Sequence, residues 1–135
     1  MTTFRRLLPA RREAVLAILE EAPEFLSGCG LTPRTQNAVE LALEELLSNV
    51  AKYAYPEGAE GEMEILIEPG PDGIRLELVD EGRPFDPLAV PPPPPMTLDG
   101  VPGGRGLHLV RSLARSMSYR RDGGRNVLIV EFPTP

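Results

Sequence analysis

The sequence predicts a two-layer α+β sandwich, with three main helices on one face of a mixed, mostly antiparallel sheet. Three observations lead there. Apolar residues recur at helical spacing in three separate stretches, they alternate with polar residues in two pairs of shorter runs, and turn-forming Pro, Gly and Asp separate the members of each pair. Hairpins interspersed with helices, rather than single strands alternating with helices, argue for antiparallel pairing under a helical layer.

Thr3-Phe4-Arg5-Arg6-Leu7-Leu8 reads as a short edge strand, and Pro9 suits the first turn of a helix presenting Val15, Leu16, Leu19 and Ala22 on one face. Pro23 is expected to disturb that helix near its end, since its ring removes a backbone donor. Gly28-Cys29-Gly30-Leu31-Thr32-Pro33 is a stop followed by a new start, with Thr32 as N-cap and Pro33 just inside the second helix. At about 100° per residue, Val39, Leu43, Leu46, Leu47, Val50 and Ala54 form its apolar arc, and Ala38, Ala42, Glu45 and Asn49 line one edge. Glu44 points away from that edge. The helix is expected to run to Pro56-Glu57-Gly58.

Met63, Ile65 and Ile67 alternate with polar neighbours, Pro69 to Gly73 turns the chain, and Ile74, Leu76 and Leu78 alternate again. This hairpin carries its period of two on to Asp80, which places that carboxylate on the apolar face at a strand end. Residues of about 86–103 lack periodicity and contain the unbroken run Pro91 to Pro95, the pattern of a stiff lid of polyproline character. Gly103-Gly104-Arg105-Gly106 then opens a third helix with Leu107, Val110, Leu113, Ala114 and Met117 toward the core. A last hairpin, roughly 117–122 and 125–132, turns at Asp122-Gly123-Gly124 and carries Leu128, Val130 and Phe132 on one side.

Composition narrows the function classes. A length of 135 residues suits one domain, 1–135, burying roughly two-thirds of its unfolded surface. Fourteen basic against twenty acidic side chains give a net charge of −6, which argues against direct nucleic-acid binding but not against a small anionic ligand. The single cysteine, Cys29, supports neither an internal disulfide nor a thiolate metal site, consistent with a reducing, cytoplasmic setting. No stretch is long enough to span a bilayer, and Arg11, Arg12 and Glu13 interrupt any signal-like run, so no membrane association is expected.

Three features carry chemistry. Glycines ahead of a helix, as in Gly103-Gly104-Arg105-Gly106-Leu107, allow close backbone approach to an anion where free N–H groups and the helix dipole favour phosphate. The inward carboxylate of Asp80, followed by Gly82, fits an acceptor for an exocyclic amino group on a flat ring. An Asn oxygen such as that of Asn49 can ligate magnesium, which takes its remaining ligands from water and nucleotide phosphates, while a Glu one turn away can accept a proton from an attacking hydroxyl. Each feature also has a plain structural reading as a loop, a strand-ending turn or a polar helix edge; their joint order in one short chain favours the functional one.

In that order and at these separations, Glu45-x-x-x-Asn49, Asp80-x-Gly82-x-Pro84-Phe85-Asp86-Pro87 and Gly103-Gly104-x-Gly106-Leu107 resemble the N, G1 and G2 boxes of the GHKL, or histidine-kinase-like, ATPase superfamily. More narrowly, the chain resembles the bacterial anti-sigma factor serine/threonine-protein kinases, whose N box has Glu four residues before Asn. The likeness covers essentially the whole chain. It implies ATP and magnesium as cofactors, with Asn49 holding the metal, Asp80 taking the adenine amino group, Gly82 making room for the ring, and Gly104 and Gly106 serving the phosphates. Pro84, Phe85, Gly103 and Leu107 fall in the same nucleotide-binding boxes, and Arg105 stands where it can touch the γ-phosphate or a partner. Glu45 matches the family's general base. The implied partners are a STAS-type anti-sigma antagonist, phosphorylated on serine, and a sigma factor or similar regulator that is sequestered; the homodimers common among relatives make the N-terminal strand a candidate edge. Departures are Tyr53, where many relatives have His, a shorter and proline-rich lid, and Arg125-Asn126 in place of a threonine that often assists adenine binding. His108 lies with Arg111, Ser112 and Arg115 on a polar helix side and reads as a surface residue. A non-catalytic, ATP-gated partner-binding module is the alternative, and an ATP-hydrolysing switch ranks behind it.

Overall fold

A computed structural model describes residues 2–89 and 105–133. The elements run β1 (Phe4–Pro9), α1 (Arg12–Ser27), α2 (Pro33–Asn49), a π-helical turn (Val50–Ala54), β2 (Glu62–Pro69), β3 (Gly73–Asp80), a 3-10 turn (Pro87–Ala89), α3 (Arg105–Leu113), β4 (Ser116–Asp122) and β5 (Arg125–Pro133). The strands form one sheet in the order β1-β2-β3-β5-β4. Among the described residues every pairing is antiparallel, in keeping with the mostly antiparallel sheet expected and without a parallel member.

The period of two decides which face the helices cover. Met63, Ile65 and Ile67 of β2, Ile74, Leu76 and Leu78 of β3, and Leu128, Val130 and Phe132 of β5 are all buried in a core shared with Val15, Ile18, Ala22 and Leu26 of α1 and Val39, Leu43 and Leu47 of α2. Cross-strand register stacks these residues in rows, Ile65 beside Leu78 beside Leu128, and Ile67 beside Leu76 beside Val130. Continuing the same face toward the end of the sheet brings the next row, Met63 beside Asp80 beside Asn126. The apolar ladder thus ends in a buried polar pair, and the candidate site begins there.

Three expectations for the first helix need correction. Pro9 closes β1, paired with Glu62, instead of opening α1, which starts at Arg12 after Arg11 in an extended N-cap conformation. An edge strand tolerates Pro because its missing N–H costs no ladder bond. Pro23 lies inside α1, and the helix continues to Ser27. Ala22 and Leu26 on either side of it are fully buried, and that packing outweighs the lost backbone bond. The buried stripe of α1 is Val15, Ile18, Ala22 and Leu26, while Leu16 stands 46% exposed, so the helix is rotated from the face first assigned.

The second helix begins as read, with Thr32 Oγ1 accepting from Thr35 N–H at 3.2 Å and Pro33 in the first turn. Its end differs: α-helical geometry stops at Asn49, and the chain widens through the π-helical turn before Tyr55 turns extended. The loop after β3 takes up the freed carbonyls. Arg83 donates its backbone N–H to Ala54 O at 2.9 Å and its Nε to Tyr53 O at 2.5 Å, placing a cation at the negative end of the helix. Tyr55 continues the bridge, its hydroxyl donating to Glu62 O at 2.6 Å and accepting from Glu81 N–H at 2.9 Å. Burial is the main cause that pushes the Tyr55 phenol above its ordinary pKa. Asp122-Gly123-Gly124-Arg125 closes the last hairpin in two residues, with positive φ of 58° and 82° at the glycines. No helix among the described residues is long and apolar enough to cross a membrane.

Candidate functional site

Between the end of α2, the end of β3 and the start of α3 lies a cavity of about 300 Å³, near the lower bound of small-molecule sites. Leu46, Val50, Leu78, Leu107 and Leu128 supply apolar wall, and Asn49, Asp80 and Asn126 supply polar groups. Tyr53 and Phe85, 58% and 44% exposed, stand at its margin as large apolar surfaces that no core residue covers. An apolar slot with a few convergent polar atoms is the form that a flat, partly polar ring requires.

Asp80 is 6% exposed, so its carboxylate survives burial only through its partners. Gly82 N–H donates to Oδ1 at 2.8 Å and Asn126 Nδ2 donates to the same oxygen at 2.9 Å. No donor among the described residues reaches Oδ2, and Asp80 lines the cavity, so among them Oδ2 is the oxygen with accepting capacity left. That is the atom suited to accept from an exocyclic amine. Gly82 also serves the packing of its loop. The space its side chain would fill is taken by Ala54, whose Cβ would lie 2.6 Å away, so the missing side chain lets the loop after β3 cross tightly over the end of α2.

Asn126 is the residue that sequence reading passed over. Its Oδ1 accepts from Tyr119 Oη at 2.5 Å, Arg121 Nη1 at 3.1 Å and, more weakly, Phe85 N–H at 3.4 Å. Its Nδ2 donates to Arg83 O at 2.8 Å as well as to Asp80, and Arg121 also reaches Gly82 O at 2.7 Å. The signal was present: extending the alternation of Leu128, Val130 and Phe132 back by two residues puts Asn126 on the inner face. Where a threonine was missed, an amide with more hydrogen-bonding capacity stands.

Glu45 and Asn49 lie on one face of α2, both partly buried, whereas Glu44 is exposed, as their spacing predicts. Asn49 lines the cavity, but Glu45 stands beside it, against α3. A Cβ built on Gly106 would collide with the Glu45 carboxylate, so the glycine at the second position of α3 is what allows the two helices to approach there. Leu107 is buried and lines the cavity; Phe85 lines it from the loop, and Pro84 is exposed and does not. Asp86 caps the 3-10 turn, its Oδ1 accepting from Leu88 N–H at 2.9 Å. His108 is exposed, as read. Gly103, Gly104 and most of the lid of about 86–103 lie outside the described residues, as does the side chain of Arg105.

These positions fit a nucleotide better than a self-sufficient metal centre. Among the described residues no group of three His, Cys, Asp or Glu could hold a metal ion, so a cation at Asn49 would need oxygens from its own ligand, as magnesium commonly takes from phosphates. The cavity offers an apolar wall and a carboxylate to a base.

Similarity to known proteins agrees with this geometry. Residues 8–132 match the family described as the histidine kinase-like ATPase domain. The serine/threonine-protein kinase BtrW of Bordetella bronchiseptica is 30% identical over 105 residues, covering 76% of this chain and 74% of that protein. Among solved structures, the RsbU and RsbW domains of Rv1364c from Mycobacterium tuberculosis superpose with a TM-score of 0.71 at 14% identity, a likeness of fold. The match covers 98% of this chain but only 32% of that one, so the chain spans about a third of the length of that relative. From the family match and the kinase relative together, the chain belongs to the histidine kinase-like ATPase domain family.

Proposed function

We propose that all 135 residues form one ATPase domain working in the cytoplasm as an anti-sigma-factor-type protein serine kinase, which phosphorylates a seryl group of a STAS-type antagonist and sequesters a sigma factor or similar regulator. The observation that carries this reading is the position of Glu45, a carboxylate one turn from Asn49 on α2 and in contact with Gly106 where α3 begins. Bound ATP with magnesium supplies the γ-phosphoryl group and the neutralisation of its charge. The chain's own residues bind, orient and move a proton. Asp80 accepts from the adenine amino group through Oδ2, the apolar wall excludes water from the ring, and Asn49 offers its oxygen to the metal. Glu45 accepts the proton of the incoming seryl hydroxyl, which raises the nucleophilicity of that oxygen toward the γ-phosphoryl group.

Incubation of the chain with magnesium ATP and its cognate antagonist tests the assignment. Phosphoserine should form, and Glu45→Gln should slow its formation by about a hundredfold or more while ATP binding persists. A transfer rate unaffected by that substitution would remove Glu45 from the mechanism. ATP-tightened partner binding with no phosphoserine would favour the non-catalytic, ATP-gated module instead.

A further inference from the structure

How much of the Asp80 carboxylate a ligand can use is decided by the residue that the last hairpin sets across the ladder from it, Asn126, itself 6% exposed. The orientation of the Asn126 amide is dictated by its surroundings. Arg121 Nη1 and Phe85 N–H can only donate, so the amide oxygen faces them; the Arg83 carbonyl can only accept, so the nitrogen faces it and, on the same side, Asp80. Asp80 Oδ1 consequently holds two protein donors, Asn126 Nδ2 and Gly82 N–H, and Oδ2 holds none among the described residues.

We propose that Asn126 is a positioning residue that sets the base preference of the cavity, leaving Asp80 one acceptor oxygen for a base edge that offers a single amino donor beside a ring acceptor, as adenine does. This rests on the nucleotide reading above. Guanine presents a ring N–H and an amino group side by side, a two-donor fork suited to a carboxylate with both oxygens open. Against Asp80, one prong of that fork meets an oxygen already occupied from the sheet, and a donor buried without a partner is strongly disfavoured. The charged and titratable groups facing Asn126 are Asp80 on β3 and Tyr119 and Arg121 on β4, with Arg83 presenting its carbonyl from the loop.

The test is calorimetric titration of the full chain with ATP and with GTP, each with magnesium, in the unaltered protein and two variants. The unaltered chain should prefer ATP by about a hundredfold or more. Asn126→Ala opens Oδ1 and should weaken ATP binding by about tenfold while narrowing the ATP-to-GTP ratio by at least as much. Asn126→Asp keeps the shape and the oxygen facing Tyr119 and Arg121 but sets a second carboxylate against Asp80, where two like charges favour uptake of one proton. Its ATP affinity, relative to the unaltered chain, should therefore rise as pH falls from about 8 to about 6, because the shared proton restores a donor. An unchanged ratio in a folded Asn126→Ala protein overturns the inference while leaving ATP binding intact; if that variant does not fold, a flat pH response of Asn126→Asp overturns it. Binding of neither triphosphate by the unaltered chain overturns both this inference and the nucleotide reading.

Discussion

Gly106→Ala separates the geometry of the site from the stability of the fold. The three atoms nearest the added methyl all belong to the carboxylate end of Glu45, a flexible side chain. Gly106 is not among the glycines with positive φ, so its backbone accepts alanine without strain. Alanine within a helix gains about 0.5–1 kcal/mol over glycine. Moving Glu45 to another rotamer costs about 0.5–1.5 kcal/mol, so the net change in unfolding free energy should lie within about 1 kcal/mol, a few degrees in melting temperature. Catalysis should respond differently. Displacing a general base by about 1 Å is worth about a hundredfold in rate. Denaturant unfolding and the phosphoserine assay, run on the same preparation, should show near-normal stability with transfer reduced by about two orders of magnitude. Destabilisation beyond about 3 kcal/mol would mean that the contact involves more than a side-chain tip, and a transfer rate within about threefold of normal would mean that the position of Glu45 beside α3 is not the productive one.

Three further substitutions probe the frame around the cavity. Asp80→Asn should weaken ATP binding by about tenfold or more, since it places an amide where Gly82 and Asn126 already donate, whereas Asp86→Asn, which touches only the cap of a 3-10 turn, should change it less than about threefold; equal effects by calorimetry would contradict the inward placement of Asp80. Tyr55→Phe removes hydrogen bonds to Glu62 and Glu81 and should lower unfolding free energy by about 1–2 kcal/mol. Because the folded protein raises the Tyr55 pKa, its contribution is complete below the ordinary tyrosine range and is lost as pH rises through the folded value, so the alkaline fall in stability should be shallower in the variant.

Most of the frame was legible because its signals are periodic. The alternation through Ile74, Leu76 and Leu78 placed Asp80 inward, and helical spacing separated Glu45 from Glu44, since in both cases one repeat fixes a direction. What escaped depends on contacts between distant segments. Pro23 looks like a helix breaker until the buried Ala22 and Leu26 are placed beside it, and the π-helical widening at Val50–Ala54 has no residue signature of its own. The close approach of Gly82 to Ala54 joins residues far apart in sequence. The alternation of its strand gives Asn126 an inward direction but no partners; its five hydrogen bonds depend on Asp80, Arg83, Phe85, Tyr119 and Arg121, which belong to three different segments.

The two-residue turn at Gly123-Gly124 governs the parity of everything beyond it. Pairing Asp122 with Arg125 sets Arg121 opposite Asn126, and the next strand over sets Asn126 opposite Asp80. A one-residue slip of β5 would turn Asn126 outward together with Leu128, Val130 and Phe132, so the burial of those three core residues holds the amide beside Asp80. A turn with no atom in the cavity wall, backed by the core residues of the same strand, thereby fixes which chemical group stands beside Asp80.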